Sequence, residues 1–167
     1  YNYSKVYVVA NLPYYITTPI IMKFIDNDVL PDKMVVMVQR EVASRLSASV
    51  GSRDYGSLTV FLNYYYDIKK LFDVSRNCFM PKPNVDSAVV CFELKKEREK
   101  VLDISLFKKL VRDSFSYKRK TIRNNLKSYD LKIVESVLLK HGFDLGVRAE
   151  ALSLNVFVEM ANALFLK

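Results

Sequence analysis

Short runs of apolar, β-forming residues alternate with helix-like stretches through the first 95 residues, and this alternation constrains the fold most. Residues 5–10 (KVYVVA) and 34–38 (MVVMV) predict two strands, and the second run is typical of a strand covered on both faces. A helix that Thr17 or Thr18 caps, with Pro19 in its first turn, is predicted between them. Another helix is predicted over residues 39–49. Alternating strands and helices predict an α/β sheet.

The segment 57–67 (SLTVFLNYYYD) is apolar throughout, so periodicity alone does not separate helix from strand. We favour a helix there, because a strand candidate at 68–74 follows immediately. A third strong strand is predicted at 87–94 (SAVVCFEL). The connection between these last two strands is too short for a helical crossover, so we expect them to be antiparallel.

A charged stretch at 95–100 (KKEREK) predicts a boundary between two domains, residues 1–95 and 96–167. Beyond it only helices are predicted, over about 104–117, 121–128, 131–141 and 153–165. The chain has a net charge of +8, and residues 96–167 hold 15 basic and 9 acidic side chains. An excess of this kind indicates an anionic partner, with nucleic acid as the first candidate and a membrane surface as the second.

Several classes of protein are disfavoured by composition. Two cysteines, Cys78 and Cys91, and one histidine, His141, are too few for a disulfide scaffold or a structural zinc site. No uncharged run approaches 18 residues, and nothing resembles a signal peptide, so we expect a cytoplasmic protein with reduced cysteines. None of the four glycines follows a strand as in a nucleotide-binding turn. Either the fold takes no such cofactor, or that half is missing from this chain.

The loop Asn11-Leu12-Pro13-Tyr14 follows the first predicted strand, where open α/β sheets place their ligands. Its residues suit a planar amine, because the Asn11 side-chain oxygen and a backbone carbonyl can accept two N–H bonds while the Tyr14 ring stacks. That arrangement localises the nitrogen lone pair toward an electrophile and needs no general base. The same four residues also fit a plain proline turn with a core tyrosine, so the motif alone leaves both interpretations open.

Longer stretches of the sequence help to decide between an amine-binding loop and a plain proline turn. Asn-Leu-Pro-Tyr resembles the (Asn/Asp)-Pro-Pro-(Tyr/Phe) loop of methyltransferases that act on exocyclic or amide nitrogens. Residues 78–90 (CFMPKPNVDSAVV), 115–126 (FSYKRKTIRNNL) and 146–153 (GVRAEALS) resemble three blocks of the ribosomal RNA adenine N6,N6-dimethyltransferases, the KsgA family. QREVASRL and YGSLTVFLNYYYD also fit in order, so the resemblance covers essentially the whole chain.

The resemblance implies a fold and a set of site residues. The fold is α/β, the C-terminal half of a Rossmann-like class I methyltransferase sheet followed by a small all-helical domain that binds RNA. Asn11, Leu12, Pro13 and Tyr14 form the target-amine loop, and Asn11 and Pro13 also contact S-adenosylmethionine. Phe79 is the second stacking plate for a flipped adenine, as a base must leave its stack before it is modified.

The resemblance also implies an RNA-binding role for a basic cluster, interpreted as a phosphate-contacting helix start. The cluster consists of Lys118, Arg119, Lys120, Arg123 and Lys127. Its first three residues are consecutive and so fan around a helix, and we expect some of them to pair with Glu150 or Asp113. Arg148 and Glu150 are interpreted as a structural ion pair, and His141 as the end of a helix without a catalytic role.

The function implied is dimethylation of two adjacent adenosines near the 3′ end of small-subunit rRNA, within the pre-30S subunit, by a full-length monomer and without a membrane. The Gly-rich turn and the acidic cofactor ligands would precede residue 1, on the order of 90 to 100 residues. We therefore expect this chain alone to bind the cofactor poorly and to be inactive. One alternative is a large-subunit rRNA methyltransferase, against which the blocks at 118–126 and 147–153 argue. The other is a non-catalytic RNA-binding or assembly factor.

Overall fold

The computed structural model describes residues 4–27 and 29–167. The strands are β1 (Tyr7–Asn11), β2 (Lys33–Gln39), β3 (Tyr66–Val74) and β4 (Ser87–Leu94). The helices are α1 (Thr17–Asp26), α2 (Arg40–Leu46), α3 (Ser57–Tyr65), α4 (Ile104–Ser114), α5 (Ile122–Asn125), α6 (Leu131–Lys140) and α7 (Leu154–Phe165). Each predicted helix and strand is therefore present, with ends that differ from the prediction by a few residues.

The four strands form one mixed sheet in the order β1-β2-β4-β3. Strand β1 pairs with β2 in parallel, as a helical crossover requires. Strands β3 and β4 are antiparallel, which confirms the prediction made from their short connection. Because β4 lies between β2 and β3, its backbone is held on both sides.

Burial along β2 differs from the expectation of a strand covered on both faces. Met34, Val36 and Val38 are fully buried, whereas the residues between them are only half-buried. Helix α2 packs against β2, β3 and β4. A run of apolar residues fits either arrangement, because a half-buried position also accepts Val or Met.

The first helix begins differently from the prediction. Ile16 is the N-cap residue of α1 and makes no side-chain capping bond. Thr17 lies inside the helix, and its Oγ1 donates to the Pro13 carbonyl at 3.0 Å. The predicted capping by Thr17 or Thr18 is therefore wrong, because the preceding loop supplies the carbonyl that the Thr17 hydroxyl bonds.

The chain divides into two compact units. One comprises the described residues up to 47 together with 65–96, and the other comprises 48–64 and 97–167. The predicted boundary near residue 95 is close to the second division. Residues 48–64, however, cluster with the C-terminal helices rather than with the sheet, which differs from the predicted domain 1–95.

Aromatic contacts explain why the segment 48–64 belongs to the helical unit. The Tyr64 ring lies 5.3 Å from the Phe107 ring, and the Lys108 ammonium lies 4.8 Å from the centre of the Phe61 ring. The Tyr55 hydroxyl donates to the Leu152 carbonyl at 3.0 Å. These partners lie 40 to 100 residues further along the chain, so local sequence patterns do not reveal them.

Within the helical unit, α7 packs against α4 and α6. Asp103 and Asp130 cap α4 and α6, since each side chain accepts hydrogen bonds from two backbone N–H groups of the first turn. His141 ends α6, as predicted, and its Nε2 lies 3.1 Å from Glu159 Oε1. Among the described residues, no helix is both long and apolar enough to cross a membrane.

Candidate active site and basic cluster

The loop that follows β1 is tied to the neighbouring strand at its first residue. Asn11 is the last residue of β1 and pairs in register with Met37 of β2. The buried Leu12 continues this pairing, because its backbone N–H donates to the Met37 carbonyl at 3.1 Å. Asn11 itself is exposed, so its side-chain amide stays accessible at the carboxyl end of a parallel strand.

The second half of the loop is fixed by the start of α1. The Pro13 carbonyl accepts from the Ile16 backbone N–H at 3.2 Å and from Thr17 Oγ1 at 3.0 Å. Pro13 also has a restricted φ and no N–H to satisfy. The backbone of the loop is therefore fixed by the sheet on one side and by the helix on the other.

A buried serine holds the Tyr14 ring by its hydroxyl group. The Tyr14 hydroxyl and Ser87 Oγ are 2.6 Å apart, in a hydrogen bond that either oxygen can donate. Ser87 is the first residue of β4 and is fully buried. The tyrosine is thus anchored at its polar end to the first residue of an inner strand of the sheet.

Phe79 lies on the segment between β3 and β4, directly after a 3-10 turn at Arg76–Cys78. Ser75 caps this turn by accepting from the Asn77 backbone N–H at 3.2 Å, and the Phe79 N–H donates to the Arg76 carbonyl at 3.3 Å. The following peptide bond, Met80–Pro81, is cis. The Ser75 cap and the hydrogen bond from the Phe79 N–H hold the backbone that leads into this half-buried aromatic side chain.

Asp86 braces that loop from the residue before β4. One of its carboxylate oxygens accepts from the Arg76 backbone N–H and from Arg76 Nε, each at 3.0 Å. Arg76 Nη1 donates to the Asn84 carbonyl at 2.6 Å, and Arg40 Nη1 lies 3.7 Å from the other Asp86 oxygen. The two ends of the segment carrying Phe79 are therefore joined through a single carboxylate.

These elements enclose one open cavity of about 360 Å³. Asn11, Leu12, Pro13, Tyr14 and Phe79 all line it, and the remaining lining residues are Pro81 and Pro83. The structure thus brings together every residue predicted for the target-amine loop and its second aromatic plate. None of the lining side chains is charged, and the polar groups available are one amide, one phenol and backbone carbonyls.

The hydrogen bond from the Arg76 side chain, with one from the Arg76 backbone, lowers the pKa of Asp86 from its ordinary value of 3.8. Burial opposes this shift, while the charges of Arg76 and Arg40 assist it. A carboxyl group with a depressed folded-state pKa stabilises the fold above its unfolded-state pKa, and this contribution is lost as the pH falls through the folded-state value.

We therefore expect the loop 75–86 to be unaffected above about pH 5 and to loosen only below pH 3.8. Amide resonances of Arg76 and Asn77, followed by NMR during acid titration, measure this directly. Asp86→Asn should abolish the local titration step. A step that persists unchanged in Asp86→Asn would show that another carboxyl group controls the loop.

The basic cluster lies in the helical unit, and all five of its side chains are exposed. Lys118, Arg119 and Lys120 lie in the turn between α4 and α5, so the prediction that they fan around a helix is wrong. Arg123 is in α5, and Lys127 follows its end. Asn125 fixes the turn, because its Nδ2 donates to the Ser114 carbonyl at 2.6 Å.

The N-terminus of α5 is occupied by other parts of the protein. The backbone N–H groups of Ile122 and Arg123 donate to the carbonyls of Val147 and Leu145, at 2.8 and 3.0 Å. Any phosphate contact at this surface must therefore come from side chains rather than from the helix start. This corrects the predicted helix-start geometry while leaving the five cations available.

Two predicted ion pairs in the helical unit are replaced by other contacts. Asp113 Oδ2 accepts from Lys109 Nζ at 3.0 Å and from the Tyr129 hydroxyl at 2.6 Å, and so engages neighbours of its own rather than the basic cluster. Within the described parts of the chain, Arg148 and Glu150 form no ion pair with each other. Arg148 is the exposed N-cap residue of a short 3-10 turn that contains Glu150.

Three residues that hydrogen-bond to Tyr14 or to the loop carrying Phe79 have no role predicted from the sequence, namely Arg76, Asp86 and Ser87. Asp86 and Ser87 lie inside the 78–90 block that carried the resemblance. An Asp-Ser pair directly before a buried strand was the available signal, because polar residues at such a point need partners. The partners themselves are distant in sequence, with Tyr14 lying 73 residues from Ser87.

Comparison with known proteins identifies relatives of this chain. The model of a family described as ribosomal RNA adenine dimethylase matches residues 2–165. The chain is 42% identical over 155 residues to ribosomal RNA small subunit methyltransferase A of Mycoplasma mobile, covering 92% of this chain and 61% of that protein. It is 41% identical over 168 residues to the protein of the same name from Bacillus cytotoxicus, covering 96% and 58%.

Two solved structures have a similar fold. A dimethyladenosine transferase from Plasmodium falciparum superposes with a TM-score of 0.77 at 27% identity, covering 96% of this chain and 67% of that one. The 23S rRNA methyltransferase ErmE gives a TM-score of 0.73 at 21% identity, covering 98% and 67%, a likeness of fold alone.

These neighbours define the fold class, which is the methyltransferase α/β fold inferred from the sequence. The chain belongs to the ribosomal RNA adenine dimethylase family, and the resemblance seen in its motifs is thereby confirmed. It spans 58% to 61% of the length of the two curated relatives above.

Proposed function

We propose that the complete protein containing this chain transfers methyl groups from S-adenosylmethionine to N6 of two adjacent adenosines near the 3′ end of small-subunit rRNA, acting on the pre-30S subunit. The observation that carries the proposal is the shared cavity. An amide, a fixed backbone turn and two aromatic rings meet there without any charged lining residue. This set of groups matches a neutral heteroaromatic amine better than a phosphate, a carboxylate or a metal ion.

The Asn11 amide oxygen accepts one N6–H of the adenine, and a loop carbonyl accepts the other. Because the Pro13 carbonyl already bonds Ile16 N and Thr17 Oγ1, the acceptor is the adjacent Leu12 carbonyl. With both protons engaged, the N6 lone pair is turned out of conjugation with the ring and becomes more nucleophilic. The protein contributes orientation rather than a base, and orientation alone lowers a barrier substantially.

The two aromatic rings replace the stacking that the adenine loses on leaving its helix. Extruding a base costs a few kcal/mol, and stacking on an aromatic side chain returns about 1–3 kcal/mol per base. Tyr14 and Phe79 line the same cavity, which at about 360 Å³ has ample room for one purine. We therefore infer that the adenine lies between these two rings.

The residues at this edge also fit a sulfonium methyl donor. The exposed Asn11 offers an amide oxygen and the exposed Pro13 an uncharged ring, and the cavity lining holds no cation that would repel a positive sulfur. S-adenosylmethionine supplies an electrophilic methyl carbon to the aligned nitrogen. Asn11 would contact the donor and the adenine together, so it links the positions of the two reactants.

Replacing Phe79 with alanine should raise the KM for RNA about 10- to 100-fold, because one stacking plate is lost. The rate at saturating RNA should change less, since Asn11 and Leu12 still hold the amine. Steady-state kinetics with varied RNA concentration measure both terms. Phe72→Ala is the matched control, because Phe72 is 57% exposed on β3 and does not line the cavity. Equal effects of the two substitutions would refute the stacking role.

The proposed function is tested with the complete protein, a radiolabelled methyl donor and ribosomal subunits that lack the modification. We expect label in small-subunit rRNA and none in large-subunit rRNA. Label in the large subunit would favour the other rRNA methyltransferase class. Tight small-subunit binding without label would favour a non-catalytic assembly factor, and either result would overturn the proposal.

A further inference from the structure

Two adjacent residues at the start of β4 form hydrogen bonds to Tyr14 and to the loop that carries Phe79. Ser87 is hydrogen-bonded to the Tyr14 hydroxyl at 2.6 Å. Asp86 accepts two 3.0 Å hydrogen bonds from Arg76, at the base of the loop that carries Phe79. The two rings lie 65 residues apart in the sequence, yet one dipeptide is bonded to the element that holds each of them.

We propose that Asp86 and Ser87 are positioning residues that together set the separation and tilt of Tyr14 and Phe79, and so determine how an adenine is held for methyl transfer. This inference rests on the proposed function. Neither residue needs to touch the substrate, because each acts through the ring or the loop that it holds. Asp86 and Ser87 thus determine substrate alignment without lining the cavity themselves.

The start of β4 is suited to such a role because it is rigid. Ser87 pairs with Gln39 of β2 on one side and with Val74 of β3 on the other. Its side chain is fully buried, and Asp86 extends the same ladder, since its carbonyl accepts from the Arg40 N–H at 3.0 Å. Side chains that are hydrogen-bonded to Asp86 and Ser87 are therefore held in fixed positions relative to each other.

Ser87 acts on the orientation of the Tyr14 ring through the tyrosine hydroxyl. A half-buried phenol without a partner can vary in tilt about χ2, because that torsion has a broad minimum. A 2.6 Å bond to a buried hydroxyl fixes both ends of the ring, the backbone end being already held by Pro13 and α1. A ring held at both ends presents one face at one angle to the stacked base.

The alternative is that Ser87 only satisfies a buried hydroxyl. In that case Ser87→Ala lowers thermal stability without changing how RNA is held. Tyr14→Phe separates the two cases, because it removes the same hydrogen bond from the cavity side and leaves no space in the core. A positioning role requires both substitutions to produce the same kinetic defect.

The experiment uses the complete protein and a short RNA with 2-aminopurine at the target position, whose fluorescence reports stacking. Wild-type protein should methylate the adenosine-containing RNA and quench the 2-aminopurine probe. Ser87→Ala and Tyr14→Phe should each raise the KM for RNA about 5- to 20-fold, by analogy with partial loss of one stacking contact. Both should weaken the quenching, with affinity for the methyl donor unchanged.

Double variants test whether the Ser87–Tyr14 and Asp86–Arg76 interactions act independently. The Ser87→Ala/Tyr14→Phe double variant should be no worse than either single variant, because both remove one bond. Ser87→Ala/Asp86→Asn should show the product of the two single effects, because Asp86 acts on the Phe79 loop. Ser136→Ala is the control, since its exposed hydroxyl donates to the Ile133 carbonyl within α6.

Wild-type quenching and kinetics retained by both Ser87→Ala and Tyr14→Phe would overturn the positioning role while leaving the proposed function intact. A wild-type protein that neither methylates the RNA nor quenches the probe would overturn the proposed function and the positioning role with it. A KM defect in Tyr14→Phe alone would assign the phenol a direct contact with RNA and remove Ser87 from the account.

Discussion

Asn11→Ala in the complete protein is expected to reduce methyl transfer at least about a hundredfold, the scale of loss that follows when a reacting group is no longer held in line. The Asn11 side chain is the one amide in the cavity lining, and it lies at the carboxyl end of a parallel strand. Its oxygen accepts an N6–H in the proposed mechanism, and alanine offers nothing in its place. The loss should appear in kcat, because the interaction is strongest when the nitrogen attacks.

The fold should tolerate this change. Asn11 is exposed, and the loop keeps its bonds through Leu12 N–H and the Pro13 carbonyl. Asn27→Ala is the matched control, because that exposed amide donates to the Lys23 backbone carbonyl at the end of α1 and does not line the cavity. Single-turnover methylation rates measure the effect, with thermal melting to verify folding. An Asn11→Ala variant of near wild-type rate would mean that another group holds the amine.

Neutralising the basic cluster is expected to weaken binding to small-subunit rRNA at least about a hundredfold at 100 mM salt. Each side chain that contacts a phosphate releases a counterion, and the logarithm of affinity then falls with the logarithm of salt concentration. Substituting glutamine at all five positions should reduce that slope by about 3.5 to 4.5. The substituted residues are Lys118, Arg119, Lys120, Arg123 and Lys127.

The control for this variant changes net charge equally but elsewhere. Five exposed lysines outside the cluster serve this purpose, namely Lys5, Lys23, Lys96, Lys132 and Lys140. Filter binding between 50 and 300 mM salt gives affinity and slope for both variants. Equal losses would show that overall charge, rather than this surface, attracts the RNA, and would remove the cluster from the RNA-binding site.

Much of the fold follows from local rules. The antiparallel β3–β4 pair was predictable because the connection of about a dozen residues is at the lower limit for a helical crossover and contains two prolines, which disfavour a helix. The helix at Ser57–Tyr65 was predictable because a strand begins at the next residue. Its membership of the helical unit was not, since that depends on contacts such as Tyr64 with Phe107, far along the chain.

The residues of the candidate site also fall into two groups, those that local sequence identifies and those that depend on distant contacts. Asn11, Pro13 and Tyr14 were identifiable because their chemistry is contained in one short loop, and Phe79 because its block resembles that of a family. The roles of Ser87 and Asp86 were not identifiable, because hydrogen bonds to Tyr14 and Arg76 depend on the three-dimensional register of β4. The basic turn at 118–120 was misassigned to a helix for a related reason, since α5 begins only where Leu145 and Val147 accept its N–H groups.

The proposed function requires that the cavity lined by Tyr14 and Phe79 accept adenine N6 and no other group. Nucleoside analysis by mass spectrometry tests it most directly, after the complete protein has acted on unmodified small subunits with S-adenosylmethionine. We expect N6,N6-dimethyladenosine at two adjacent adenosines near the 3′ end, and its absence from the Asn11→Ala reaction. Methylation of a cytidine, a ribose or a ring nitrogen, or no modified nucleoside at all, would contradict it.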